Sequence, residues 1–91
     1  MSQQIPTEQE TLEAIREELA AIKVPDAASA EPSSTWSDLD VDSLDLVEIV
    51  KALEDRYDVQ IADGRLKAIA TVGDAQELVQ ELVREKAGAP A

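Results

Sequence analysis

The chain has 91 residues with 8 Lys and Arg against 20 Asp and Glu, a formal net charge of −12 at pH 7, and neither Cys nor His. A domain of this size buries only about 60–70% of its unfolded surface, so an elaborate enclosed active site is disfavoured. The charge repels phosphate backbones and anionic lipid, favouring a basic protein surface as partner over nucleic acid or membrane. Without thiolate or imidazole, cysteine nucleophiles, the usual zinc sites and the usual triads are excluded.

In chain order, the start Met1-Ser2-Gln3-Gln4-Ile5-Pro6 shows no charged n-region and no apolar h-region, and no apolar run of membrane-spanning length follows. The expectation is a cytoplasmic protein with residues 1–6 flexible. Thr7-Glu8-Gln9-Glu10 is a capping-box pattern, so a helix should begin there. Leu12, Ile15, Leu19 and Ile22 recur at helical spacing on one stripe, and Pro25 is expected to end the helix. A long loop from Val24 to Asp42 follows, rich in Pro, Ala and Ser. Its single large aromatic, Trp36, is expected to pin it to the core.

A second helix should start at Asp42-Ser43, with Leu46, Val50, Leu53 and Tyr57 as its core face and Leu44 and Val47 left on another side. The stretch Asp63 to Ile69, which contains Gly64, predicts only a weak minor helix. Thr71-Val72-Gly73-Asp74 gives another cap and opens a last helix with Val72, Ala75, Leu78, Val79, Leu82 and Val83 on its apolar side. It should end before Gly88-Ala89-Pro90, leaving residues 87–91 as a disordered tail. No strand pattern competes. The prediction is an all-α domain over residues 7–86, a small antiparallel bundle of three principal helices plus one short minor helix. With one Tyr, one Trp and no Phe, its core must be aliphatic.

Half of the net charge lies between Asp38 and Asp58, where eight acids face two bases. Asp38, Asp40 and Asp42 begin like a calcium loop, but the sixth position is Ser43 instead of Gly and the twelfth is Ile49 instead of Glu. No metal site is expected. Nothing in the pattern tunes an exposed carboxylate pair for acid–base catalysis, so no enzyme activity is expected either. Ser43 differs in kind. As first residue of a helix after an Asp cap, its hydroxyl lies where outward N–H groups and the helix dipole favour negative charge, and an esterified phosphate fits there. Alternatively, Asp42-Ser43 merely starts the helix of an unmodified acidic interaction module.

Asp42-Ser43-Leu44, the acidic amphipathic helix behind it, the segment Leu53-Glu54-Asp55-Arg56-Tyr57-Asp58-Val59-Gln60-Ile61 and Thr71-Val72 together resemble the acyl carrier proteins, from about Trp36 to about Leu82. The form Leu39-Asp40-Val41-Asp42-Ser43-Leu44 is similar to discrete bacterial carriers of fatty acid or polyketide synthesis.

The resemblance implies a covalent 4′-phosphopantetheine on Ser43, flanked by Asp42 and Leu44 and transferred from coenzyme A by a separate magnesium-dependent phosphopantetheinyl transferase. It implies acyl thioesters offered to acyltransferase, ketosynthase and other synthase enzymes through basic docking patches, with the carrier a monomer. Leu44, Asp45, Val47, Glu48, Lys51, Glu54 and Asp55 would form the partner face. Lys51 and the Gly64-Arg65 interruption depart from the fatty acid pattern and tilt the expectation toward polyketide synthesis.

Overall fold

The computed structural model describes residues 5–88, and the expectations for residues 1–4 and 89–91 lie outside it. Four helices succeed one another: α1 (Glu8–Ala21), α2 (Ser43–Tyr57), α3 (Asp63–Leu66) and α4 (Val72–Gly88). A short 3-10 turn, Ala27–Ser29, lies in the long first loop. The last helix therefore runs to Gly88, two residues beyond the boundary expected at residue 86.

The caps at both long outer helices match the sequence pattern. At α1, Thr7 Oγ1 accepts from the Glu10 N–H at 3.1 Å and Glu10 Oε1 accepts from the Thr7 N–H at 2.8 Å. At α4, Thr71 Oγ1 accepts from the Asp74 N–H at 3.1 Å, and Asp74 Oδ2 accepts from the N–H groups of Thr71 and Ala70. Each box satisfies donors that a helix start otherwise leaves open.

The end of α1 departs from expectation. The helix stops at Ala21, and Pro25 is not the residue that closes it. Lys23 adopts the left-handed conformation, φ 64°, while the Lys23 N–H donates to Ala20 O and the Val24 N–H donates to Leu19 O, each at 3.0 Å. This paired arrangement is the Schellman closure, built here with Lys where Gly is commonest, and the buried Val24 supplies its apolar contact. Pro25 comes two residues later.

Three helices share one aliphatic core. Ile15 and Leu19 of α1, Ile49 and Leu53 of α2, and Val72 and Val79 of α4 are its most buried large side chains. Ile49 corrects the expected α2 face: it is buried at 1% exposure, whereas Leu46 and Tyr57 pack against the core only partly buried. Burial also pushes the Tyr57 phenol above its ordinary pKa, with Arg56 opposing.

Polar side chains set how the helices lie. Gln76 Nε2 donates to Glu8 O at 2.7 Å and Gln80 Nε2 to Pro6 O at 3.0 Å, so α4 runs antiparallel to α1. Arg56 reaches from α2 to α1, donating to Ala14 O at 3.2 Å and to Glu17. The hydrogen bond with Glu17 is the main reason its guanidinium pKa is raised. Lys86 Nζ meets Asp58 Oδ2 at 3.0 Å, which puts the C-terminal ends of α2 and α4 together.

The first loop is far from structureless. Its backbone lies against the start of α4, where the Val72 N–H donates to Ser34 O at 2.9 Å, the Gly73 N–H donates to Pro32 O at 2.8 Å, and Thr35 pairs with Thr71 in an isolated antiparallel bridge. Gly73 permits this approach, because a Cβ there would lie 2.9 Å from Pro32 O. Gly73→Ala should therefore lower the urea midpoint without changing the slope, costing about 1–3 kcal/mol by crowding. The higher helix propensity of Ala, worth about 1 kcal/mol, works against that loss.

Candidate functional site

The site is built where the first loop delivers the chain into α2. Trp36 is buried, its indole N–H donates to Ile69 O at 2.9 Å, and its carbonyl accepts from the Val41 N–H at 2.8 Å. Leu39 and Val41 are buried beside it. The expected role of Trp36 as the anchor of the loop is what the structure shows.

Within this turn the three alternating aspartates each have a local task. Asp38 Oδ2 accepts from the Thr35 N–H, while the Asp38 N–H donates to Thr35 Oγ1 at 3.0 Å. Asp40 takes the left-handed conformation, φ 59°, which Asp tolerates better than most residues. Asp42 is the N-cap of α2: its Oδ1 accepts from the Asp45 N–H at 2.9 Å and its carbonyl accepts from the Leu46 N–H at 2.9 Å. The Asp-rich run is turn-and-cap chemistry.

Ser43 is therefore the first helical residue, exposed to solvent. The first turn of a helix leaves backbone N–H groups without intrahelical acceptors, and its dipole end favours an anion. An exposed alcohol beside those groups fits a phosphodiester: there is room for the group, a stabilising field for its charge, and no buried side chain to displace.

From Ser43 onward α2 presents one continuous outward stripe. Leu44, Glu48, Lys51 and Asp55, stepping by four, three and four, are all exposed, and Leu44 is 77% exposed. From Leu44 to Asp55 the stripe covers about 16 Å along the axis. Val47 flanks it half-buried and, unlike Leu46, does not pack on the core. Asp45, of the expected partner face, is half-buried at the edge of the stripe.

Glu54 stands apart from the other acids. It is half-buried, and its Oε2 accepts from the Ile61 N–H at 2.6 Å, tying the end of α2 to the connection before α3. The sequence offered no signal for this, since Ile61 lies beyond the end of α2, in a connection whose path no local pattern records.

Electrostatics separates the stripe from the other faces. Among the described residues, Arg16 pairs with Glu13, Arg56 with Glu17 and Glu18, Arg65 with Glu81, and Lys86 with Asp58. None of these cations reaches Glu48 or Asp55, and Lys51 joins none of the pairs. Glu48 and Asp55 thus form no ion pair among the described residues, and Lys51 is the one base within the stripe itself.

A bundle of three long helices and a one-turn helix, with an exposed serine as the first residue of an acidic second helix, is the construction of a carrier domain. A model of the family described as "Phosphopantetheine attachment site" matches residues 10–82. The chain is 40% identical over 79 residues to "Acyl carrier protein 5, chloroplastic" of Arabidopsis thaliana, an alignment covering 86% of this chain and 57% of that protein. It is 48% identical over 52 residues to "Acyl carrier protein" of Sulfurovum sp. (strain NBC37-1), covering 57% of this chain and 69% of that protein. With "Acyl carrier protein, chloroplastic" of Brassica napus the identity is 49% over 51 residues, 56% of this chain and 38% of that protein. The chain thus spans about half the length of the plant relatives it matches.

The chain belongs to the acyl carrier protein family, whose members are non-catalytic and bear 4′-phosphopantetheine covalently. The match extends the likeness well before Trp36, into α1. No described helix is long and apolar enough to cross a membrane.

Asp42→Ala removes the acceptor for the Asp45 N–H and should cost about 1 kcal/mol of stability. Amide exchange should quicken at Asp45 first, with the core amide of Leu53 changing only through global unfolding.

Proposed function

We propose that Ser43 is the attachment residue and that the chain, as a monomeric domain over residues 7–86, carries acyl intermediates between separate synthase enzymes. The observation that carries the reading is the placement of Ser43: an exposed hydroxyl at the first position of α2, capped by Asp42 and followed by the 77%-exposed Leu44. The attached group supplies a terminal thiol on which an acyl chain rides as a thioester. The chain's own residues hold and present it. Asp42 fixes the helix start, the first-turn N–H groups and dipole favour the phosphodiester charge, and the absence of Cys leaves no second thiol to compete for the acyl group.

Recognition in this reading runs along α2. Leu44 and Val47 give a small apolar contact next to the attachment point, and Glu48 and Asp55 attract Arg or Lys on a phosphopantetheinyl transferase, acyltransferase or ketosynthase. Asp45 adds charge at the edge, and Glu54 contributes by holding the helix end in shape.

The lean toward polyketide synthesis now rests on Lys51 alone, because Arg65 in the minor helix has an internal partner in Glu81 at 2.6 Å. The relatives are named simply as acyl carriers, so loading by fatty acid and polyketide ketosynthases compared side by side is the discriminating assay. The cytoplasm remains the proposed compartment; the plant relatives are named chloroplastic.

Incubation with coenzyme A, magnesium and a broad-specificity transferase should add one phosphopantetheine mass, lost in Ser43→Ala. An unchanged mass in the wild-type chain would remove the carrier reading. Glu48→Lys with Asp55→Lys should slow loading roughly tenfold at low salt and much less at high salt, since exposed charges act mainly on encounter rate and are screened. Equal rates at low salt would take both acids out of recognition.

A further inference from the structure

We infer that Trp36 is a positioning residue for modification of Ser43, an inference resting on the carrier reading. Its side chain and its backbone engage two different parts of the fold. The indole N–H donates to Ile69 O at 2.9 Å, across 33 residues of sequence. The carbonyl of the same residue accepts from Val41 at 2.8 Å and Leu39 at 3.2 Å. Val41 is the residue before the Asp42 cap, so this one residue, through its backbone and its side chain, ties the entry to α2 to the connection between α3 and α4.

The entry turn depends on that tie. Residues 37–41 belong to no helix or sheet, and Asp40 within them is left-handed. Neighbouring loop carbonyls at Pro32 and Ser34 are bonded to α4, which holds the turn from its upstream side. On the downstream side the turn passes directly into Asp42 and Ser43. The indole bond to Ile69 fixes where Trp36 sits, the Trp36 carbonyl fixes Val41, and Val41 precedes the Asp42 cap from which Ser43 begins the helix.

Packing alone does not fix that placement. An aromatic ring of similar size fills the core but lacks the N–H, and the Ile69 carbonyl then loses its indole donor. A transferase must bring the Ser43 hydroxyl to bonding distance along one approach, and reactivity falls steeply with misplacement. The α2 stripe is untouched, so docking is preserved.

Trp36→Phe, and a chain in which Trp36 is replaced by benzothienylalanine with sulfur in place of the N–H, test this. Each should be loaded from coenzyme A with a kcat/KM about three- to tenfold below wild type, the loss in kcat with KM for the carrier unchanged. The Val41 amide should exchange about three- to tenfold faster, with Leu53 unaffected. Thr11→Val, which weakens the distant α1–α4 contact, should load at the wild-type rate.

Wild-type loading of both Trp36 variants, wild-type exchange at Val41, or an equal loss in Thr11→Val would overturn the inference. A wild-type chain that takes no phosphopantetheine while Ser43 remains exposed would overturn the carrier reading instead. The exchange measurement still decides whether the indole holds the turn.

Discussion

One helix has to serve two surfaces, and the fold is organised around that constraint. α2 gives Ile49, Val50 and Leu53 to the core, at 1%, 5% and 1% exposure. With those side chains fixed inward, helical geometry leaves Leu44, Glu48, Lys51 and Asp55 no direction but outward. Ser43 lies at the head of that outward stripe because Asp42 ends the loop and begins the helix in the same residue. Ser43 and the outward stripe are thus set by which side of α2 the core takes.

An aliphatic core of this size leaves little stability to spare, and the chain compensates through its backbone. The long first loop would carry many unpaired polar groups if it crossed the surface alone. Its carbonyls at Pro32 and Ser34 instead take the N–H groups at the start of α4, and Gly73 lets the two backbones meet. One aromatic side chain closes the remaining turn. Loop and helix start satisfy each other, and the segment before Ser43 is ordered without a sheet.

Charge obeys the same division of labour. A net charge of −12 on 91 residues favours solubility and opposes compaction. Arg16, Arg56, Arg65 and Lys86 answer acids on α1, on α4 and at the end of α2. These pairs are largely exposed and contribute little stability each, about 0–1 kcal/mol. Their effect is spatial: they pair acids on faces away from the stripe, while Glu48 and Asp55 join no pair among the described residues.

Local chemistry made much of this legible in the amino-acid order. Capping boxes at Thr7 and Thr71, the stripes of α1 and α4, the weak helix near Gly64 and the start of α2 at Ser43 all depend on contacts within a few residues, and periodicity records such contacts. The family likeness also lies in a contiguous run, Asp42-Ser43-Leu44 and the acidic helix behind it. Other features depend on contacts across the chain. α2 has more apolar residues than one face can bury, and only the placement of α1 and α4 decided that Ile49 goes in while Leu44 stays out. Lys23 could close α1 in a left-handed turn because Val24 found a buried place beyond it. Glu54 became a tie to Ile61, and Trp36 found its acceptor at Ile69, because folding brought together groups that share no helix or strand. The sequence by itself determined where helices start and which serine heads the acidic one. The tertiary structure decided which sides of those helices face water, since that depends on what the neighbouring helices leave uncovered.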